Sequence, residues 1–246
     1  MIVLFWILGI VGGLLVLVYA VLVWMTIKVS RLEPSSAISL LDDEASDELV
    51  EKMPSISDYA GARGLPLVIA IQAKAPGFEV REATWEIAPD HSYFSATERP
   101  SGTPRANFTT ALRARATGER VFILTSNNGD LANGYPALGV FTEVFRTESL
   151  AELERWHEHA VGYMQREGYC EPLVIRRPLL DVAIEQAELQ VNEIKGKPLK
   201  ILVFPIRYFV GMSTKFGRTI EQRYPVRNKH MRRLRGEIMH SPRGYA

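Results

Sequence analysis

The residues best able to do chemistry gather in LERWHEHAV, residues 153–161. His157 and His159 stand two apart, and on a helix such neighbours point away from each other, so they cannot chelate one ion together. Glu154 and His157 stand three apart and share a face. Glu237 and His240 repeat that spacing. Paired Glu-x-x-His motifs build di-metal bundles only with glutamates from two further helices. Here one copy lies in a basic C-terminal stretch, and much of the chain reads as strand. The expectation is no metal and no cofactor, with His157 packed partly under its helix and Glu154, Glu158 and His159 turned to water.

A second candidate is the polar loop TSNNGDLANGYP, residues 125–136. Asn and Gly tolerate positive φ, so Asn128-Gly129 and Asn133-Gly134 read as turns. Asn127, Asn128, Asp130 and Asn133 offer oxygens to a ligand, although their spacing does not match a calcium loop. Loops carried on a rigid sheet often hold function. A ligand-binding or enzymatic domain with its site over Asn127–Tyr135 is therefore the alternative reading. Cys170 has no basic neighbour in sequence to lower its pKa and reads as structural. The phosphate-loop, dinucleotide and G-x-S-x-G patterns are all missing. No catalytic residue is expected.

Charge is the next signal. The 246 residues carry +1 overall, but residues 195–246 hold thirteen Lys or Arg against Glu221 and Glu237. That region is +11, and the rest of the chain is −10. Such asymmetry points to an interaction surface. Lys197, Lys200, Arg207, Lys215, Arg218, Arg227, Lys229, Arg232, Arg233 and Arg235 are the expected anion contacts. Anionic lipid headgroups are the first choice of partner, since each cation near such a surface contributes roughly 1 kcal/mol. An acidic partner comes second, including the chain's own residues 42–51. Nucleic acid comes third, because no binding motif accompanies the basic residues. A protein partner or self-association is also expected.

These residues need elements to position them. Residues 2–27 are uncharged and almost wholly apolar, longer than the roughly 20 residues a bilayer core requires. The sequence predicts a transmembrane anchor over 1–31, with Gly9 and Gly13 as a helix-pairing face. Lys28 and Arg31 follow the span, so the rule for flanking cations puts the N-terminus outside and the rest in the cytoplasm at the inner membrane. Residues 32–64 read as an acidic connector with a short helix ended by Pro54. Over 65–196 the pattern becomes alternating: hairpins around Pro76-Gly77 and around 117–119, with further strands, then helices over 150–167 and from Pro178 to Gly196. The fold class expected is α+β: an N-terminal transmembrane helix, an antiparallel sheet of four to six strands, and two or three helices on one face. Residues 197–246 form a basic, membrane-associated region, in which 198–212 fits either the membrane surface or the core. The function expected is a single-pass, non-catalytic accessory, scaffold or assembly subunit.

Overall fold

The computed structural model describes residues 2–31, 33–75, 78–88, 91–98, 104–128, 139–173, 179–192, 194–203 and 217–237, with side chains in the first helix from Gly13 to Lys28 and at Ser30. The chain opens with α1 (Ile2–Ser30), followed by α2 (Pro34–Ala37) and β1 (Ile38–Leu40). Then come α3 (Asp43–Glu51) and α4 (Pro54–Ala62). The strands β2 (Leu67–Ala75), β3 (Phe78–Ala88), β4 (Ser92–Thr97), β5 (Arg105–Ala114), β6 (Arg120–Ser126) and β7 (Val140–Val144) follow. The remainder is α5 (Leu150–Arg166), β8 (Cys170–Pro172), α6 (Leu179–Asn192), α7 (Ile220–Arg223) and α8 (Lys229–Leu234). A helical segment also covers 198–203.

The sheet has eight strands in the order β1 to β7, with β8 pairing against β5. It exceeds the expected four to six because β1 and β8 have three residues each, too few to show an alternating pattern. All pairs are antiparallel except β6–β7, which run parallel. The expectation of antiparallel pairing rested on short connections. The 127–139 connection has thirteen residues, enough for the crossover that a parallel pair needs. The helices do not all lie on one face. The cores place α3, α4 and α5 against Trp85, Phe94 and Phe108, whereas Val182 of α6 packs on Ala111, Phe122 and Val140, whose side chains point the other way.

Among the described residues no helix is long and apolar enough to cross a membrane. This corrects three expectations: the transmembrane anchor over 1–31, the single-pass topology with its N-terminus outside, and the inner-membrane placement built on them. Around Gly13, the site where a Cβ would stand has no atom within 4 Å. Gly9 lies outside the described side chains.

Local chemistry sets the element ends that hold the core. Asp42 caps α3 by accepting from the Ala45 N–H at 2.8 Å. Pro54 cannot continue α3 but suits the first turn of α4. The Ser149 hydroxyl accepts from the Glu152 N–H at 3.2 Å, and the Glu152 carboxylate takes the Thr147 hydroxyl at 2.7 Å. Along α5, Leu153, His157, Ala160 and Met164 are buried, the spacing of one helical face. Gly168 at φ 72° then releases the chain toward β8.

The C-terminal helices belong to the same core. Ile220, Tyr224, Met231 and Leu234 pack with Leu112, Val121, Ile123, Phe141 and Met164. Full burial of one such side chain is worth about 1.5–3 kcal/mol. Within 198–203 the apolar residues face out: Leu199 is 74% exposed, Leu202 48% and Val203 41%. Residues 204–212, the rest of the segment left open between membrane surface and core, lie outside the described residues.

Candidate functional site

Two chains of polar side chains cross the middle of the sheet, one on each face, and each ends on a carboxylate. On the α5 face, Ser92 and Thr110 face each other across β4–β5, with hydroxyls 2.9 Å apart. Thr110 Oγ1 lies 2.7 Å from His157 Nε2, and His157 Nδ1 lies 3.1 Å from Thr125 Oγ1. The Thr125 hydroxyl donates to Glu143 Oε2 at 3.4 Å, and Glu143 Oε1 also accepts from the Ile220 N–H. With Glu143 ionised, the order of donors follows. Thr125 donates to Glu143, so it accepts from His157 Nδ1–H, and Nε2 accepts from Thr110.

This first chain is sealed. Ser92, Thr110, Thr125, Glu143 and His157 are all buried, with Glu143 and Thr125 at 0% exposure. Burial holds the imidazole neutral, with its pKa lowered to about 3. Burial pushes the Glu143 carboxyl up to about 7, against the Ile220 N–H, the Thr125 hydroxyl and the Arg223 charge, all of which favour ionisation. A group with no path to solvent does not meet a substrate, so the chain's work is to tie β4, β5, α5, β6, β7 and α7 together.

The second chain lies on the opposite face. Asn107 pairs in register with Ser95 on one side and Ser126 on the other. The Ser126 hydroxyl reaches Asn107 Oδ1 at 2.5 Å, and Asn107 Nδ2 donates to Ser95 at 3.3 Å. Ser95 and Thr97 both donate to Glu82, the latter at 3.2 Å. Ser95, Asn107 and Ser126 are buried, while Glu82 is partly exposed. Burial raises its carboxyl above the ordinary value, opposed by the two hydroxyls.

The sequence-predicted residues fall elsewhere. The Asn127 side chain is committed to the scaffold: Oδ1 accepts from the Ala106 N–H at 2.8 Å, and Nδ2 donates to the Thr147 carbonyl at 3.4 Å. The Asn128 N–H donates to the Ser126 hydroxyl at 2.8 Å. Asp130 and Asn133 lie outside the described residues, as do Arg207, Lys215 and His240. Glu154 does not face water. It is buried and takes Arg63 at 2.5 and 2.7 Å and the Tyr59 hydroxyl at 2.9 Å, joining α4 to α5. Burial pushes the Cys170 thiol up to about 12, with Arg115 pulling weakly the other way. Among the described residues no group of three His, Cys, Asp or Glu is placed to hold a metal ion.

The basic residues divide into two sets. Arg233 reaches Glu119 at 2.5 Å, and Arg232 and Arg235 share Glu237 at 3.3 and 2.9 Å. Lys197 donates to the Asn192 carbonyl at 3.1 Å, and Lys200 is half-buried. Arg218, Arg227 and Lys229 are exposed and form no ion pair among the described residues. Of the acidic residues 42–51, Glu48 pairs with Lys52 and Arg81.

Glu82 and Glu143 escaped the sequence reading. Glu143 alternates with Phe141 and Phe145 in GVFTEVFR, an acid in an apolar register, which is the signal that marks it. Glu82 lies in FEVREATWEI among acids on both faces, and only the fold separates them. Compared with protein-family models, with curated proteins and with solved structures, the chain matches none.

Proposed function

We propose that this chain is a non-catalytic accessory or scaffold protein that works through surface contact, with anionic lipid headgroups as the partner. One observation carries the reading: an exposed apolar surface shared by two helical segments. Leu14, Leu15, Val16 and Leu17 are 61–68% exposed, and Val21 and Trp24 are exposed as well. The Tyr19 hydroxyl donates to the Leu202 carbonyl at 2.6 Å, which sets the exposed Leu199, Leu202 and Val203 beside this helix. A contiguous apolar surface of this kind marks a contact site. Lys28 lies over the Trp24 ring at 5.6 Å, a cation beside an aromatic ring of the kind that suits a lipid interface. The exposed Arg218, Arg227 and Lys229 supply charge complementary to anionic headgroups. His157, Glu143 and Cys170 are buried and bonded or insulated. The loop alternative loses Asn127 to the scaffold.

The test is co-sedimentation of the full chain with phosphatidylglycerol vesicles and with phosphatidylcholine vesicles. Binding is expected to the anionic vesicles, at least tenfold weaker for the triple variant R218E/R227E/K229E, since each cation contributes roughly 1 kcal/mol at such a surface. No binding, or equal binding of wild type and variant, would overturn the proposal.

A further inference from the structure

Every link of the enclosed chain on the α5 face can be made in either direction. Ser92 and Thr110 are hydroxyls 2.9 Å apart, and either can donate. Thr110 lies 2.7 Å from His157 Nε2, and Thr125 lies 3.1 Å from His157 Nδ1. A neutral imidazole has one N–H and one bare nitrogen, and the tautomer decides which is which. Burial keeps this ring neutral. The last link joins Thr125 to Glu143 at 3.4 Å, where an ionised carboxylate accepts and a protonated one donates. Exposure falls along the chain, from 8% at Ser92 through 5% at Thr110 and 4% at His157 to 0% at Thr125 and Glu143. The carboxylate therefore stands at the closed end.

We infer that this chain is a two-state proton relay: when Glu143 gains a proton, all its links reverse and His157 changes tautomer. The relay is independent of the lipid-contacting surface. Starting with Glu143 ionised, Ser92 takes a proton from water and passes its own to Thr110. Thr110 passes its proton to His157 Nε2, Nδ1 passes its proton to Thr125, and Thr125 passes its proton to Glu143. At each hop one O–H or N–H bond breaks and one forms, so each intermediate group ends neutral with donor and acceptor exchanged. Neither order leaves a link of the chain without its donor, which would be costly at this depth. Glu143 Oε1 accepts from the Ile220 N–H in both states. The charges facing Glu143 come from α7: Arg223 favours the ionised form and Glu221 opposes it. His159 of α5 lies 3.1 Å from Glu221, and Glu154, one turn before His157, is held by Arg63 and Tyr59. β6 presents the neutral Thr125, and α5 the neutral His157. The Glu143 carboxyl stands at about 7, so both orders are populated near neutral pH. The relay thereby sets a pH-dependent charge against Arg223 at the base of the C-terminal helices.

The test is ring-nitrogen NMR of the full chain with isotope-labelled histidine, read from roughly pH 5 to pH 9. His157 is assigned through its contact with Phe108, whose ring centroid lies 5.9 Å away. Protonated and bare ring nitrogens give separate signals. The wild type should show a single N–H throughout, on Nδ1 at the alkaline end and on Nε2 at the acid end, with the exchange centred where Glu143 titrates. In Glu143→Gln the Ile220 N–H claims the amide oxygen, so the amide N–H faces Thr125 and His157 should keep its N–H on Nε2 at every pH. Thr125→Val cuts the link, and the tautomer should then ignore pH. The relay is overturned if the wild-type N–H stays on one nitrogen, if both nitrogens become protonated together, or if either variant still exchanges with pH. The wild-type titration decides the matter even where a variant does not fold.

Discussion

Two side chains that share the threonine at position 125 pull the pH dependence of stability in opposite directions. Glu143 has a folded pKa of about 7 against an ordinary 4.5. Its contribution is fully present below pH 4.5 and is lost as pH rises through 7. His157 has a folded pKa of about 3 against an ordinary 6.5. Its contribution is present above pH 6.5 and is lost as pH falls toward 3. Between pH 4.5 and 6.5 the slopes of these two groups cancel. Glu143→Gln removes one slope. Relative to wild type, the variant should gain about 3 kcal/mol between pH 4 and pH 8, measured by urea unfolding across that range. Parallel curves for the two proteins would show that Glu143 is not desolvated as described.

At the scale of elements, the basic C-terminal stretch is a pair of short helices pinned by apolar side chains. Met231 is fully buried beneath Tyr224 and Leu234, so Met231→Ala should cost about 2–5 kcal/mol in denaturant unfolding. Truncation after residue 216 should cost more. A merely solvated tail would leave both melts unchanged. This region also shows what sequence can and cannot disclose. The α5 start was readable because Ser149 caps it with a local bond, and strands β2 to β7 were readable from apolar runs between turns. Short α7 and α8 carry only three buried residues among many cations, so charge hides their core face. β1 and β8 are legible only through the strands they pair with. The polar chains could not be read from spacing, since Ser92, Thr110, Thr125, Glu143 and His157 come from five elements and meet only through register. The acid between Phe141 and Phe145 escaped the sequence reading, and nothing local to it shows that Ile220, 77 residues on, supplies its N–H.

For the whole molecule, the charge split of the sequence resolves into separate local arrangements. Glu48 of α3 pairs with Lys52 and Arg81, and the C-terminal Arg232, Arg233 and Arg235 take Glu119 and Glu237. Among the described residues the surface also carries the unpaired cations Arg218, Arg227 and Lys229 and a run of exposed apolar side chains on α1 and 198–203. Burying apolar surface is worth about 25 cal/mol per Å², so contact with lipid would favour covering that run while the cations meet headgroups. The most direct measurement is amide hydrogen exchange of the full chain with and without phosphatidylglycerol vesicles. The account predicts slower exchange over residues 14–28, 199–203 and 217–229 when vesicles are present, with the strands β3 to β6 unchanged. Unchanged exchange in those three segments, or protection confined to the sheet, would contradict it.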